Sequence, residues 1–148
     1  MDMENKFLIK IRGFQHAIAE PNTDNIEMMT SGNYEFDEEN RLYYIDYDET
    51  KATDLDNTHT NIEIGEDYVS VQRTGDVVSD MLFLAGRKTY SMYTTPVGQL
   101  LIGLYTEKLD ITTDDNRCSI KAEYCIDINE QPIGKNKIEI DAWEAPTI

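Results

Sequence analysis

Apolar and polar residues alternate along most of this chain, and turn-forming residues interrupt the alternation at regular intervals. In residues 68–105, four short runs rich in Val, Leu, Ile, Tyr and Thr are separated by breaks at 74–76, 86–87 and 95–98. Each break contains Gly, which permits positive φ, and Pro96 presets a turn in the last one. A two-residue period with β-branched and aromatic residues is typical of half-buried β-strands, so this stretch is predicted to form four of them.

The same pattern predicts six further strands outside this stretch. Residues 117–128 show it most regularly, because every second residue from Cys118 to Ile128 is apolar. Residues 106–112 either extend the strand before them or form another, and residues 48–57, which have no periodicity, are predicted as the longest loop. Gly32 is a candidate bulge. The further strands are predicted at 6–12, 26–36, 42–47, 58–64, 117–128 and 137–142.

About ten strands, joined by short sequential connections and without a helix of three turns, predict an all-β antiparallel meander. Because each strand then pairs with its neighbour in the sequence, an up-and-down β-barrel of about eight to ten strands is favoured over a sandwich with crossovers. Such a barrel is either filled by its own side chains or holds one small ligand. All 148 residues are assigned to a single barrel domain with its core at about 6–143.

The chain is strongly acidic, with 13 basic residues, 29 acidic residues and a formal net charge of −16. Between Asn33 and Asp67, twelve acidic residues occur against two basic ones. Nucleic-acid binding is disfavoured because phosphates are repelled at long range. The acidic surface either serves solubility or attracts a cation or a basic protein partner.

The sequence predicts a cytoplasmic protein that is a monomer or a homodimer. The longest apolar runs have only strand length, and the first residues are acidic and polar, unlike a secretory signal. Cys118 and Cys125 are seven residues apart and fall on opposite faces of one predicted strand. No disulfide is therefore expected between them.

Several segments, taken in order, resemble the YwiB-like family of bacterial proteins of unknown function. They are 44–49, 71–75 and 93–98, together with Met81, Phe83 and Gly86. The resemblance depends on their order and spacing and spans roughly residues 6–141. It implies a calycin-like, that is lipocalin-like, barrel, and with it the binding of a small ligand. It implies no catalytic residues, because the family has no assigned activity.

Arg73 is the most informative candidate for ligand binding. It shares strand parity with Val69 and Val71, so its guanidinium is directed toward the barrel interior or its rim. Either Arg73 grips the acidic group of a bound ligand, or it is structural and bonds loop carbonyls near Gly75. A buried arginine needs partners, and the candidate acceptors are Glu49, Glu123 and the phenols of Tyr44 and Tyr47.

Tyrosines are the other candidate ligand contacts. The chain has nine of them, and tyrosines on strands usually serve core packing. A barrel lined with Tyr44, Tyr93, Tyr105 and Tyr124 would nevertheless have an apolar wall with a few hydroxyl groups, which suits an amphipathic ligand. The candidates are Tyr44, Tyr47, Tyr93, Tyr105 and Tyr124.

The sequence offers no catalytic, metal or cofactor site. His16 and His59 are predicted at the surface and not as haem ligands. A calcium-loop-like segment at 54–65 has His59 and Gly65 where the geometry requires Gly and Glu. The leading hypothesis is a noncatalytic barrel that binds a small amphipathic or apolar ligand. The alternative is a structural or interaction protein with a side-chain-filled barrel and an acidic surface for a basic protein partner.

Overall fold

The structure is a computed structural model that describes residues 7–17, 23–49 and 57–146. These residues form ten β-strands and no helix, so none of them forms a helix able to cross a membrane. The strands are β1 Phe7–Ala17, β2 Thr23–Asp37, β3 Leu42–Asp48, β4 Thr58–Ile64, β5 Tyr68–Gly75, β6 Ser79–Leu84, β7 Lys88–Thr95, β8 Gly98–Thr113, β9 Arg117–Ile128 and β10 Gln131–Glu144.

All ten strands belong to one antiparallel sheet in the order β6-β5-β4-β3-β2-β1-β10-β9-β8-β7. Strands that follow one another in the sequence pair, and β1 pairs with β10 over its whole length. β6 and β7 stand at the two ends of this order but lie side by side. Val78, just before β6, forms a backbone bridge with Thr94 of β7, and the hydroxyl of Thr89 in β7 donates to the carbonyl of Leu82 in β6 at 2.7 Å. The predicted antiparallel barrel is confirmed, and it is nearly closed.

Alternate residues of each strand face the interior and form the core. In β4, Thr58, Thr60, Ile62 and Ile64 are buried, while the residues between them are more exposed. Fully burying one Ile or Leu side chain contributes about 1.5–3 kcal/mol. Strands from both halves of the sheet supply this core, whose fully buried side chains include Ile9, Ile45, Ile62, Leu104, Ile120 and Ile140.

The second strand changes neighbours at Gly32. β2 pairs with β1 as far as Gly32 and with β3 from Asn33 onward. A Cβ at Gly32 would lie 2.4 Å from the carbonyl oxygen of Asp46 and 2.4 Å from Cδ1 of Ile9. Glycine therefore allows the close approach of the strands at this crossing. The prediction of a bulge here is wrong, since the register shifts lie in the pairings of β8 with β9 and β9 with β10.

Several strand boundaries differ from the predicted ones. Residues 106–112 extend β8 and do not form a separate strand. The last strand begins at Gln131, earlier than predicted, because a register shift between Pro132 and Gly134 keeps these turn-forming residues within the ladder. The predicted loop at 48–57 falls largely on residues 50–56, which lie outside the described part of the chain.

Candidate ligand site at the polar end of the barrel

Polar side chains gather inside the barrel where β3 and β5 end and β4 and β6 begin. In β5, Arg73 lies on the inner face with Val69 and Val71, and its side chain is 17% exposed. Its register partners, Thr60 in β4 and Ser79 in β6, are both buried. We call the following set of residues the polar end: Tyr47, Glu49, Thr58, Thr60, Arg73 and Ser79.

Glu49 is the acidic partner of Arg73. Its side chain is 1% exposed, and its Oε2 atom lies 3.7 Å from Nε of Arg73. This distance is too long for a direct hydrogen bond, so the contact between these two atoms is electrostatic. The same carboxylate accepts hydrogen bonds from the hydroxyl groups of Thr60 and Tyr47. Among the acceptors considered for Arg73, Glu49 is thus in contact, whereas Glu123 belongs to a separate surface ion pair.

Three buried donor groups at the polar end have no hydrogen-bond partner among the described residues. They are Nε of Arg73, the hydroxyl of Ser79 and the hydroxyl of Thr58. An unsatisfied buried group of this kind costs about 1–3 kcal/mol. Nε of Arg73 can only donate, and both hydroxyl groups can donate, so a hydrogen-bond acceptor complements all three.

Thr58, Thr60 and Ser79 are the members of the polar end that sequence reasoning missed. Each lies on a strand that flanks β5, and each has the parity that places its side chain on the inner face near Arg73. Parity on the flanking strands is the signal that could have found them. It becomes usable only once the register between β4, β5 and β6 is known.

Tyr47 and Tyr124 face the interior. Tyr47 is 3% exposed. Burial, and after it the charge of Glu49, raises the pKa of the Tyr47 phenol above its ordinary value, while the charge of Arg73 acts in the opposite direction. Burial raises the pKa of Tyr124 to about 12, again opposed by Arg73. The ring of Tyr124 meets Phe83 edge-on, with 5.0 Å between ring centroids. The charge of Arg73 therefore acts on the phenols of both interior tyrosines.

Tyr44 and Tyr105 lie on the outer wall, so the expectation that they line the interior is wrong. The phenol of Tyr44 donates to Oε1 of Glu63 at 3.5 Å, and Tyr105 is 41% exposed. In both cases the residues on either side in the sequence face inward, and the two-residue period leaves the tyrosine outside. Tyr93 is half-buried on the inward side of β7. Tyr47, Tyr93 and Tyr124 thus have positions that allow interior contacts.

A cleft opens beside the polar end. Its volume is about 420 Å³, within the range of roughly 300–1,000 Å³ that is typical of small-ligand sites. His59 stands at its rim, 45% exposed, with Nδ1 at 2.9 Å from Oδ1 of Asp48. This is the surface position predicted for His59; the side chain of His16 and residues 54–56 lie outside the described part of the chain. The cleft is lined by Asp48, Glu49, Asn57, Thr58, His59, Thr74 and Gly75.

Comparison with known proteins decides the family. Residues 9–140 match the sequence profile of the family described as a domain of unknown function, DUF1934. The chain belongs to the DUF1934 family. The uncharacterized β-barrel protein YwiB of Bacillus subtilis (strain 168) is 26% identical over 110 residues, which cover 74% of this chain and 75% of YwiB. The YwiB-like resemblance of the sequence is confirmed.

A solved structure agrees with the barrel of this DUF1934 protein. The crystal structure of the ywiB protein from Bacillus subtilis matches it with a TM-score of 0.82 and 22% sequence identity, covering 99% of this chain and 96% of that one. At this identity the likeness concerns the fold, so the chemistry of the polar end has to be argued from the residues of this chain.

Proposed function

We propose that this DUF1934 barrel is a noncatalytic, cytoplasmic binder of a small amphipathic ligand whose acceptor group meets Arg73 at the polar end. The observation that carries the proposal is the set of unpartnered buried donors on Arg73, Ser79 and Thr58. A carboxylate offers acceptor oxygens to several such donors and gains a charge-assisted bond with an arginine. The free thiols of Cys118 and Cys125 agree with a reducing cytoplasm.

Glu49 sets the balance between charge and apolar contact at this site. Because it lies 3.7 Å from Arg73 and partly neutralises it, an incoming anion is attracted by Arg73 and repelled by Glu49. The apolar part of the ligand must therefore contribute most of the affinity, and the acceptor group orients it. On the inner wall the rings of Tyr47 and Phe83 are buried and that of Tyr124 is partly buried, and the proposal requires the apolar part of the ligand to pack against them.

Calorimetric titration with octanoate and 1-octanol tests the proposal. The two probes share an alkyl chain and differ in the anionic group. Octanoate should bind more tightly than 1-octanol, and Arg73→Gln should weaken octanoate binding at least about tenfold, because a hydrogen bond to a charged group contributes about 1.5–3 kcal/mol. Glu49→Gln should strengthen octanoate binding. Arg12→Gln, on the outer wall, is the matched control and should leave binding unchanged.

Equal octanoate affinity in the wild-type protein and in a folded Arg73→Gln variant would overturn the role of Arg73. Native mass spectrometry of gently purified protein provides a second measurement. If it finds only the apo mass, and neither probe binds in calorimetry, the ligand-binding proposal fails and a barrel filled by its own side chains is the better description.

A second candidate function is that of an interaction protein whose acidic outer wall docks a basic partner. The charge distribution favours it, since residues 33–49 and 57–84 carry twelve acidic and two basic side chains. Titration with octalysine, followed by NMR, should then shift amides on the outer wall of β3 to β6, and octaglutamate should shift none. Absence of these shifts would remove this candidate.

A further inference from the structure

One segment of this acidic barrel contains no acidic residue. Residues 81–106 include no Asp or Glu, although the chain has 29 in 148 positions. The segment covers most of β6, all of β7 and the first half of β8, and its charged residues are Arg87 and Lys88. It therefore differs in sign of charge from the wall formed by β3 to β5 and the first residues of β6.

The outer face of this segment is apolar and exposed. Register places Tyr90 opposite Gly103, Met92 opposite Leu101 and Lys88 opposite Tyr105, so these side chains project from one side of the β7–β8 hairpin. Tyr90 is 58%, Met92 48% and Tyr105 41% exposed. The exposed surface of Tyr90 and Tyr105 together is about that of one whole tyrosine side chain, or roughly 200 Å². We call the following set the hairpin face: Tyr90, Met92, Leu101 and Tyr105.

The acidic residue that reaches the hairpin face from β9 is neutralised there. Oδ2 of Asp127 lies 2.6 Å from Nζ of Lys88, and Asp127 as a whole is 9% exposed. The missing side chain of Gly103 makes room for this carboxylate, since a Cβ there would lie 2.5 Å from Oδ1 of Asp127. Lys88 also stands 5.3 Å from the ring centroid of Tyr90. The hairpin face thus has no uncompensated negative charge.

We propose that the hairpin face is the contact through which two copies of this chain form a weak, two-fold symmetric dimer. Two molecules of net charge −16 repel each other, and only a contact without uncompensated acids avoids placing like charges opposite one another. Among the strands of the acidic wall, β6 borders β7 but has no acid in residues 81–84, and β5, β4 and β3 lie two, three and four strands around the barrel from β7, so face-to-face packing keeps most of the acidic residues of both copies away from the interface. In a two-fold dimer the same apolar patch meets itself.

The size of the face sets the expected strength of the dimer. Specific interfaces bury about 800 Å² on each partner, and weak ones bury less. The exposed tyrosine surface of the hairpin face is well below this size, so the dimer is expected to be weak, with a dissociation constant of about 100 µM or higher. Salt should strengthen the dimer, because it screens the repulsion between the two acidic molecules and leaves the apolar contact in place.

Sedimentation velocity on the full chain, from about 5 to about 500 µM, measures this association. We expect a dimer, and its dissociation constant should decrease when the NaCl concentration is raised from about 0.05 M to about 0.5 M. Tyr90→Ser and Met92→Ser should each weaken it at least about tenfold, and both sites are exposed enough for folding to be retained. Met29→Ser, at a residue 53% exposed in β2, is the matched control and should leave the dimer unchanged.

Three results would overturn the proposal. The first is a protein that stays monomeric at the highest concentration in high salt. The second is a dimer that weakens as salt is added, which indicates contact between the basic residues of one copy and the acidic wall of another. The third is a dimer that Met29→Ser disrupts and that persists in folded Tyr90→Ser and Met92→Ser variants.

Discussion

Removing the charge of Arg73 is the perturbation that best tests the energetics of the polar end. Arg73→Met keeps most of the side-chain length but leaves the carboxylate of Glu49, 1% exposed, without this cation. Removing one partner of a buried ion pair costs about 3–5 kcal/mol. Because Thr60 and Tyr47 still bond the carboxylate, we predict the lower end of this range, a loss of about 3 kcal/mol. In a chain of this length the Tm should fall by roughly 6–12 °C.

Urea unfolding, followed by tryptophan fluorescence, measures this loss. The single tryptophan, Trp143, pairs with Leu8 and Arg117 at the opposite end of the barrel, so its signal reports global unfolding and not the substitution itself. Arg12→Met is the matched control. The pair of Arg12 with Glu139 spans 3.6 Å with Arg12 41% exposed, so this variant should lose less than about 1 kcal/mol.

A double variant separates lost charge from lost packing. Adding Glu49→Gln to Arg73→Met removes the uncompensated charge and should recover about half of the lost stability or more. A loss below about 1 kcal/mol in Arg73→Met would contradict the reasoning. So would a double variant no more stable than the single one, because the cost would then come from packing.

Three further predictions concern the barrel as a whole. Gly32→Ala should lower the free energy of unfolding in urea by about 2–3 kcal/mol, because its Cβ would lie 2.4 Å from a carbonyl oxygen of β3. Gly13→Ala is the control and should cost far less, since a Cβ at Gly13 meets no atom within 4 Å. Equal losses in the two variants would refute the steric argument. Tyr124 has a pKa of about 12 in the folded protein against 10.0 for a free phenol, so its contribution to stability is complete below pH 10.0 and is lost as the pH rises toward 12. Urea unfolding at a series of pH values should show this decline, and Tyr124→Phe should make it less steep. An equally steep decline in the variant would contradict the prediction. Cys118 is 2% exposed, and burial raises its pKa to about 12, so a thiol reagent at about pH 8 should modify Cys125 in the native protein and Cys118 only after unfolding. If both cysteines react rapidly in the native protein, the buried position of Cys118 is wrong.

The sequence predicts the inner face well where a strand separates apolar from polar residues. Residues 117–128 do so, and Cys118, Ile120 and Ala122 are buried in the core as the alternation indicates. In β3 and β8, aromatic or apolar residues occupy both faces, so hydrophobicity cannot choose between them. The interior positions predicted for Tyr44 and Tyr105 are wrong for this reason.

The polar end is only partly predictable, because it depends on contacts between strands. Parity on a strand with valines is sufficient to direct Arg73 inward, and Glu49 is among its candidate acceptors. Which acceptor Arg73 meets depends on the register of β3, β4 and β5, and a period of two residues does not fix register between strands. Small hydroxyl residues such as Ser79 and Thr60 also occur on outer walls, so their type alone does not mark them.

The pairing of β1 with β10 has a consequence for how the protein is made. Phe7 lies opposite Glu144, 137 positions later in the chain. Contacts of such separation form late, because the loss of chain entropy precedes the gain from pairing. While β10 is still inside the ribosome, β1 and β9 have unpaired edges of the kind that other chains can extend. The nascent protein is therefore most vulnerable to misassembly just before the last residues of β10 emerge.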